Sequence, residues 1–202
     1  MKLEWRPRVS IFVFVLGVTA GNLVLYQKPL LSYAISGSDL SQSEGWQHVL
    51  HLQILQICLL VGVLLLLSTL SVTLVKVITS ILAMTNATAL YFMLTYNIRL
   101  DATMIEIVLN PYSQDAIGLW HFSIIPYFLV LGVLPTLLIW WTKVRPWTQM
   151  KQRLSSIGAF AGLFSWLFAT TGTWLWYDQH RTELSSETLP WAYLVNTAEY
   201  VN

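Results

Sequence analysis

Of the 202 residues, 55% are hydrophobic and 10% charged, with a formal net charge of +1; a soluble domain carries roughly 25% charge, so a membrane protein is the class this composition fits. So small a net charge supplies no basic field for nucleic acid, and no nucleic-acid partner is expected. The single cysteine, Cys58, cannot form an internal disulfide and reads as a small buried hydrophobe.

Crossing the hydrocarbon takes about 20 apolar helical residues, and five stretches qualify, at about 9–26, 52–74, 77–96, 124–141 and 157–176. The first follows Lys2, Arg6 and Arg8. Its apolar core exceeds the roughly 7–15 residues of a secretory signal and no small-residue cleavage site follows, so it is read as a retained anchor. A polar loop from Gln27 to Gln47 leads to the second span, and Lys76 marks a tight reversal into the third. In the fourth, Pro135 removes a backbone donor and predicts a kink, which membranes tolerate when a neighbour satisfies the freed carbonyl. From Tyr177 the tail is polar, with weak helical periodicity in Leu189, Ala192, Tyr193 and Tyr200.

Between the third and fourth spans lies a long polar-and-apolar mixture, residues 97–123. Leu100, Met104, Ile105 and Val108 recur at helical spacing, with Thr103, Glu106 and Asn110 opposite. This predicts an amphipathic helix over about 101–109 lying on a membrane surface, capped by Asp101 and stopped by Asn110-Pro111. The fold class is therefore an all-α integral membrane protein, five transmembrane helices plus a periplasmic interfacial amphipathic helix, forming one domain over 1–202.

Lys2, Arg6, Arg8, Lys76, Lys143, Arg145, Lys151 and Arg153 fall on one side of this arrangement, against Lys28, Arg99 and Arg181 on the other. The positive-inside rule makes the richer side cytoplasmic, which predicts a multi-pass membrane protein with a cytoplasmic amino end and with the loop after the first span, the central stretch and the carboxyl tail together outside. All four histidines and every acidic residue except Glu4 then lie outside. Tryptophans 46, 120, 140, 141, 174 and 176 cluster at the predicted span ends, where an amphipathic ring is most comfortable.

Candidate chemistry is sparse. His48 and His51 are one turn apart, a spacing that can serve a metal, but no third ligand stands in register, and interfacial residues satisfied by water or headgroups are the reading preferred. Asp101, Glu106 and Asp115 are the carboxylates of the central stretch; paired acids can do general acid/base work, but on the wet face of an interfacial helix such groups are usually solvated, and for Asp115, beyond the proline break, a solvated position and one turned back toward the membrane both stay open. No span core holds an ionisable group, which disfavours an ion-coupled transporter. GxSxG, HExxH and P-loop signatures are missing.

The central stretch resembles the membrane-domain signature of the bacterial phosphoethanolamine transferases that modify lipid A, including the mobile colistin-resistance enzymes. Tyr96, Asp101, Met104, Ile105, Val108, Asp115 and Ala116 match that signature in order. Asn22 through Tyr26 with Lys28 is similar to the end of the family's first helix, Gly132 through Pro135 to its GVLP run, and His180-Arg181 with Pro190 and Tyr193 to the segment leading toward its catalytic domain. Two departures stand beside the matches: Ile107 replaces a family asparagine, and Pro111-Tyr112 replaces a threonine-aspartate pair. The resemblance implies a surface facing a phospholipid headgroup, phosphatidylethanolamine, lined by Tyr96, Arg99, Asp101, Asn110 and Asp115. Family members carry their threonine nucleophile and zinc ligands in a periplasmic domain of the alkaline-phosphatase type; this sequence ends at Asn202 without one. The expectation is thus a truncated membrane domain with no catalytic residue, no metal and no cofactor of its own, inactive alone, whose partners are membrane phospholipid and a separate periplasmic catalytic domain. The alternative is a non-enzymatic membrane interaction protein that binds a catalytic or sensor partner.

Overall fold

A computed structural model describes residues 6–39, 41–100, 122–147, 150–170, 174–193 and 196–197. The expected interfacial helix at 101–109 lies outside the described residues. In chain order the elements are β1 (Arg8–Ser10), α1 (Ile11–Tyr26), α2 (Lys28–Ser36), α3 (Ser43–Leu70) and α4 (Val72–Tyr96). A composite helix follows, made of α5 (Ile124–Tyr127), a π-helical turn (Phe128–Val133) and α6 (Leu134–Trp141). Then come β2 (Lys143–Arg145), α7 (Met150–Thr170), α8 (Trp174–Gln179) and α9 (Arg181–Glu187).

Three of these helices are long and apolar enough to cross a membrane, Gly45–Leu70, Val72–Tyr96 and Ile124–Trp141. The pair Ile11–Tyr26 and Lys28–Ser36, bent by 62° at Gln27, makes a fourth if taken as one broken span. The expected polar loop at 27–47 is thus largely helical: Pro29 sits in the first turn of α2, where its missing N–H costs nothing. The apolar part of α7, Arg153–Ala169, is shorter than the other three.

The reversal between α3 and α4 is at Ser71 and not at Lys76. Ser71 is the one extended residue between α3 and α4, and its hydroxyl accepts from Thr73 N at 3.1 Å, capping the new helix. Lys76 therefore lies inside α4, where its ammonium donates to the Thr142 carbonyl at 2.6 Å and stands 5.7 Å from the Trp140 ring centre. A long stem reaching the helix end lets the charge find a partner there.

The antiparallel α3 and α4 form the centre, α1 packs across both, α7 lies along α3, and the composite helix lies along α4. Expected all-α, the fold has one small exception. Arg8–Ser10 pairs in parallel with Lys143–Arg145, in register Arg8 to Lys143. This ties the cationic segments flanking α1 and α6 to one end of the bundle, beside Lys76. Large apolar side chains on the outer faces stay uncovered, among them Leu70 at 74%, Leu137 at 64% and Trp166 at 60% exposure. That much apolar surface suits hydrocarbon and not water.

The helix carrying Pro135 holds a π-helical turn, Phe128–Val133, just before the proline. Proline donates no hydrogen bond to the carbonyl four residues back, which is Leu131. The Tyr26 hydroxyl donates to that carbonyl from α1. Gly132 packs against α4, where even a Cβ would meet Ala87 Cβ and Met84 Cα at an ordinary contact distance of 3.5 Å.

Candidate functional site

Amide side chains gather midway along the bundle, beneath its end opposite the paired strands. Gln27 lies at the α1–α2 bend and Gln56 in the middle of α3, and both are buried. Their Nε2 groups converge on one acceptor, the Leu189 carbonyl of the tail, at 2.9 Å from Gln56 and closer from Gln27. Gln27 Nε2 also donates to Asn22 Oδ1 at 3.0 Å. A little further along the tail, the Tyr193 hydroxyl donates to Asn86 Oδ1 of α4 at 3.0 Å and lies 3.1 Å from the Thr85 hydroxyl. Burial pushes the Tyr193 phenol up to about 12, with the Thr85 hydrogen bond opposing.

These bonds fold the tail back onto the bundle. Leu189 and Ala192 are fully buried in a cluster with Tyr26, Leu90, Tyr91, Met93 and Leu100. The polar tail expected from Tyr177 onward is therefore anchored by the weak periodicity seen in its sequence: Leu189 and Ala192 are its inward residues. Asn196 extends the tether, donating to the Leu100 carbonyl.

Of the residues expected to face a headgroup, Tyr96 and Arg99 stand at this end, and Asp101, Asn110 and Asp115 lie outside the described residues. Tyr96 stacks on Phe92 with ring centres 6.2 Å apart and meets Tyr91 edge-on at 6.0 Å. Asn97 ends α4 in the left-handed conformation, φ 54°, which asparagine tolerates better than most residues. That turn carries Ile98 and Leu100 inward and sends Arg99 out. Arg99 is half exposed, and its Nε lies 3.6 Å from Glu187 Oε1 in α9. Burial raises the Glu187 carboxyl above its usual range, and the Arg99 guanidinium pulls it partly back. An anion approaching Arg99 therefore meets a guanidinium already shared with a half-protected carboxylate.

His180 meets Tyr33 edge-on at 6.2 Å, while His51, one turn from His48 on α3, sits in a small pocket with Leu55, Leu167, Trp174 and Tyr177; His121 lies outside the described residues. Among the described residues no three His, Cys, Asp or Glu side chains gather as metal ligands. The described residues thus do not fit a zinc centre. Gln27, Gln56 and Asn86 are what a search for charged groups passes over: neutral amides in or between apolar helices leave hydropathy high, although each has to find partners when buried.

Below the amide cluster an apolar cleft of about 530 Å³ runs between α1, α4 and the composite helix, from Val9 and Thr142 at one end to Asn22, Tyr26 and Asn86 at the other. Chemically this end offers donors, aromatic faces and one shared guanidinium above an apolar trough, which suits holding and orienting an amphiphile.

A family model described as phosphoethanolamine transferase EptA/EptB matches residues 57–202. The phosphoethanolamine transferase EptA of Helicobacter pylori is 25% identical over 173 residues, covering 86% of this chain and 32% of that protein. The chain thus spans about a third of the length of this curated relative. No solved structure matches it.

Proposed function

Because the chain belongs to the phosphoethanolamine transferase EptA/EptB family, we propose that it is the inner-membrane part of such a system and presents a phosphatidylethanolamine headgroup to transfer chemistry outside the bilayer. In this reading the bundle crosses five times, Arg153–Ala169 being the fifth crossing, with the paired strands and Lys76 on the cytoplasmic side. The amide-rich end is periplasmic. The headgroup surface is formed by Tyr96 and Arg99 together with Asp101, Asn110 and Asp115, the central stretch lying along the outer membrane surface.

One observation carries the reading: the residues after Tyr96 and the tail beyond His180 are bound to the same end of the bundle, through Arg99 with Glu187 and Leu100 with Asn196. A domain placed beyond that tail would stand directly over the Tyr96–Arg99 rim. The guanidinium supplies a charge-assisted donor for a lipid phosphate, and Glu187 supplies a counter-charge for an ammonium. Covalent transfer needs an activated hydroxyl and a metal, which we assign to a periplasmic catalytic domain working with this surface.

Two measurements test this. Mass spectrometry of lipid A from cells expressing residues 1–202 alone is expected to find no added phosphoethanolamine; its addition would refute the division of labour. Detergent-purified chain is expected to retain phosphatidylethanolamine over phosphatidylcholine of the same acyl composition, and Arg99→Gln is expected to remove that preference. Equal retention of both lipids by the unmodified chain would refute the headgroup surface.

A further inference from the structure

The paired strands, at the end of the bundle away from Arg99, sort their side chains onto two faces. Successive side chains of a strand alternate, and residues in register share a face. The register Arg8 to Lys143, Val9 to Val144 and Ser10 to Arg145 therefore puts Val9 and Val144 on one face and Arg8, Ser10, Lys143 and Arg145 on the other. Burial agrees: Val9 and Val144 pack against the cluster of Val15, Leu64 and Ile139, while Arg8, Ser10 and Arg145 are exposed. Arg8 stands directly opposite Lys143, with Arg145 its diagonal neighbour at about 8 Å.

Like charges directly opposite on a strand pair are destabilising, and two strands alone are marginal. The described acidic residues bring no relief, because Asp39, Glu44, Asp178, Glu183 and Glu187 all belong to the other end. Arg8 and Arg145 accordingly make no ion pair with a described residue. Ser10 Oγ accepts from Val13 N at 3.3 Å and keeps its own proton to donate. More positive charge stands close by: Lys76 reaches Thr142, the residue before Lys143, and Arg153 lies one turn before Ile157, which packs against the same cluster as Val9.

The depth of this face says which anion it meets. Ser10 caps α1, and Val13, one turn inward, is exposed; Trp141 ends α6 two residues before Lys143 and is exposed as well. Outward apolar surface thus stops within about one turn of the cations, which stand at headgroup depth when that surface meets hydrocarbon. The anion at that depth is a lipid phosphate, and guanidinium forks suit its oxygens. A zwitterionic lipid would bring another cation into a cluster already positive, whereas an anionic lipid brings none.

We propose that the outward face of the strand pair binds the phosphate of an anionic glycerophospholipid through Arg8 and Arg145, with Lys143 and Ser10 completing the face. The bundle has to lie in a membrane for this, but the headgroup surface near Arg99 is not required, since the two lie at opposite ends.

The test mixes delipidated full chain, in neutral detergent, with equal amounts of phosphatidylglycerol and phosphatidylcholine of identical acyl chains, and identifies the retained lipid by mass spectrometry. Phosphatidylglycerol is expected to be enriched, and the double variant Arg8→Gln, Arg145→Gln to lower that enrichment on the order of tenfold. Lys28→Gln, Arg181→Gln, which removes the same charge from exposed positions at the other end, is expected to leave it unchanged. Phosphatidylglycerol is also expected to raise the Tm of the unmodified chain and not that of the first double variant. Without lipid that variant is expected to melt no lower than the unmodified chain, because a repulsion has been removed; a clearly lower Tm would contradict the proposal. Equal retention of the two lipids would overturn it, as would an equal loss of enrichment in the Lys28, Arg181 pair, which would make net charge the cause. Displacement of phosphatidylglycerol by excess inorganic phosphate would make this a free-anion site and overturn the lipid assignment. Failure of the ethanolamine preference above, with phosphatidylglycerol enrichment intact, would discard the headgroup surface and leave this one standing.

Discussion

Glu187 is pulled two ways, upward by burial and downward by Arg99, and burial is the larger effect. A carboxyl whose folded pKa is raised leaves the fold unpenalised below its unfolded value, about 4.3, and costs stability as pH rises through the folded value. Glu187→Gln is therefore expected to raise the Tm of the detergent-solubilised protein at about pH 8 and to leave it unchanged at about pH 3.5. Arg99→Gln is expected to lower it at the higher pH only. A gain from Glu187→Gln that is the same at both pH values would contradict this account of the pair. The Arg99 position was legible in the sequence as an outward cation beside the third span. Its partner was not, because 88 residues separate the two and only the folded tail brings α9 to the end of α4.

At the scale of the element, the composite helix depends on a bond from another helix. Tyr26→Phe removes the donor to the Leu131 carbonyl and is expected to cost about 1–2 kcal/mol. In a Pro135→Ala background, where the backbone again offers an N–H, the same change is expected to cost less than half as much, measured as a double-mutant cycle on chemical unfolding. Additive losses would show that Tyr26 does something other than stand in for the proline. The proline signalled that a partner was needed, but its identity depended on how α1 crosses α4. The tail is tethered in the same way: Gln56→Leu removes one of two donors to the Leu189 carbonyl, and hydrogen exchange over residues 189–193 is expected to quicken by about fivefold, the equivalent of one modest hydrogen bond. Unchanged protection there would mean that apolar burial of Leu189 and Ala192 holds the tail without the amides. Apolar length located three of the crossings well, because hydropathy is a local property. It misplaced the reversal at Lys76, since a lone charge in an apolar run looks like a turn unless a carbonyl such as that of Thr142 is known to lie within its reach.

For the whole molecule, the count of Lys and Arg residues on either side and the paired strands agree on one point: Arg8, Lys76, Lys143 and Arg145 occupy a single end, and Arg99 with Glu187 the other. In the proposed reading the two ends have different tasks, one anchoring the chain by charge and the other presenting polar and aromatic groups to the membrane surface. The apolar trough, by contrast, was not legible in the sequence, because its lining comes from helices whose crossing no local pattern specifies. The most direct test of this division is accessibility in intact cells. In a Cys58→Ser background, single cysteines in place of the exposed Ser41 and Arg181 are expected to react with a membrane-impermeant maleimide from outside, while a cysteine in place of Lys143 reacts only after the membrane is opened. Labelling of the Lys143 position from outside, with Ser41 and Arg181 protected, would invert the molecule and contradict a periplasmic lipid-facing surface.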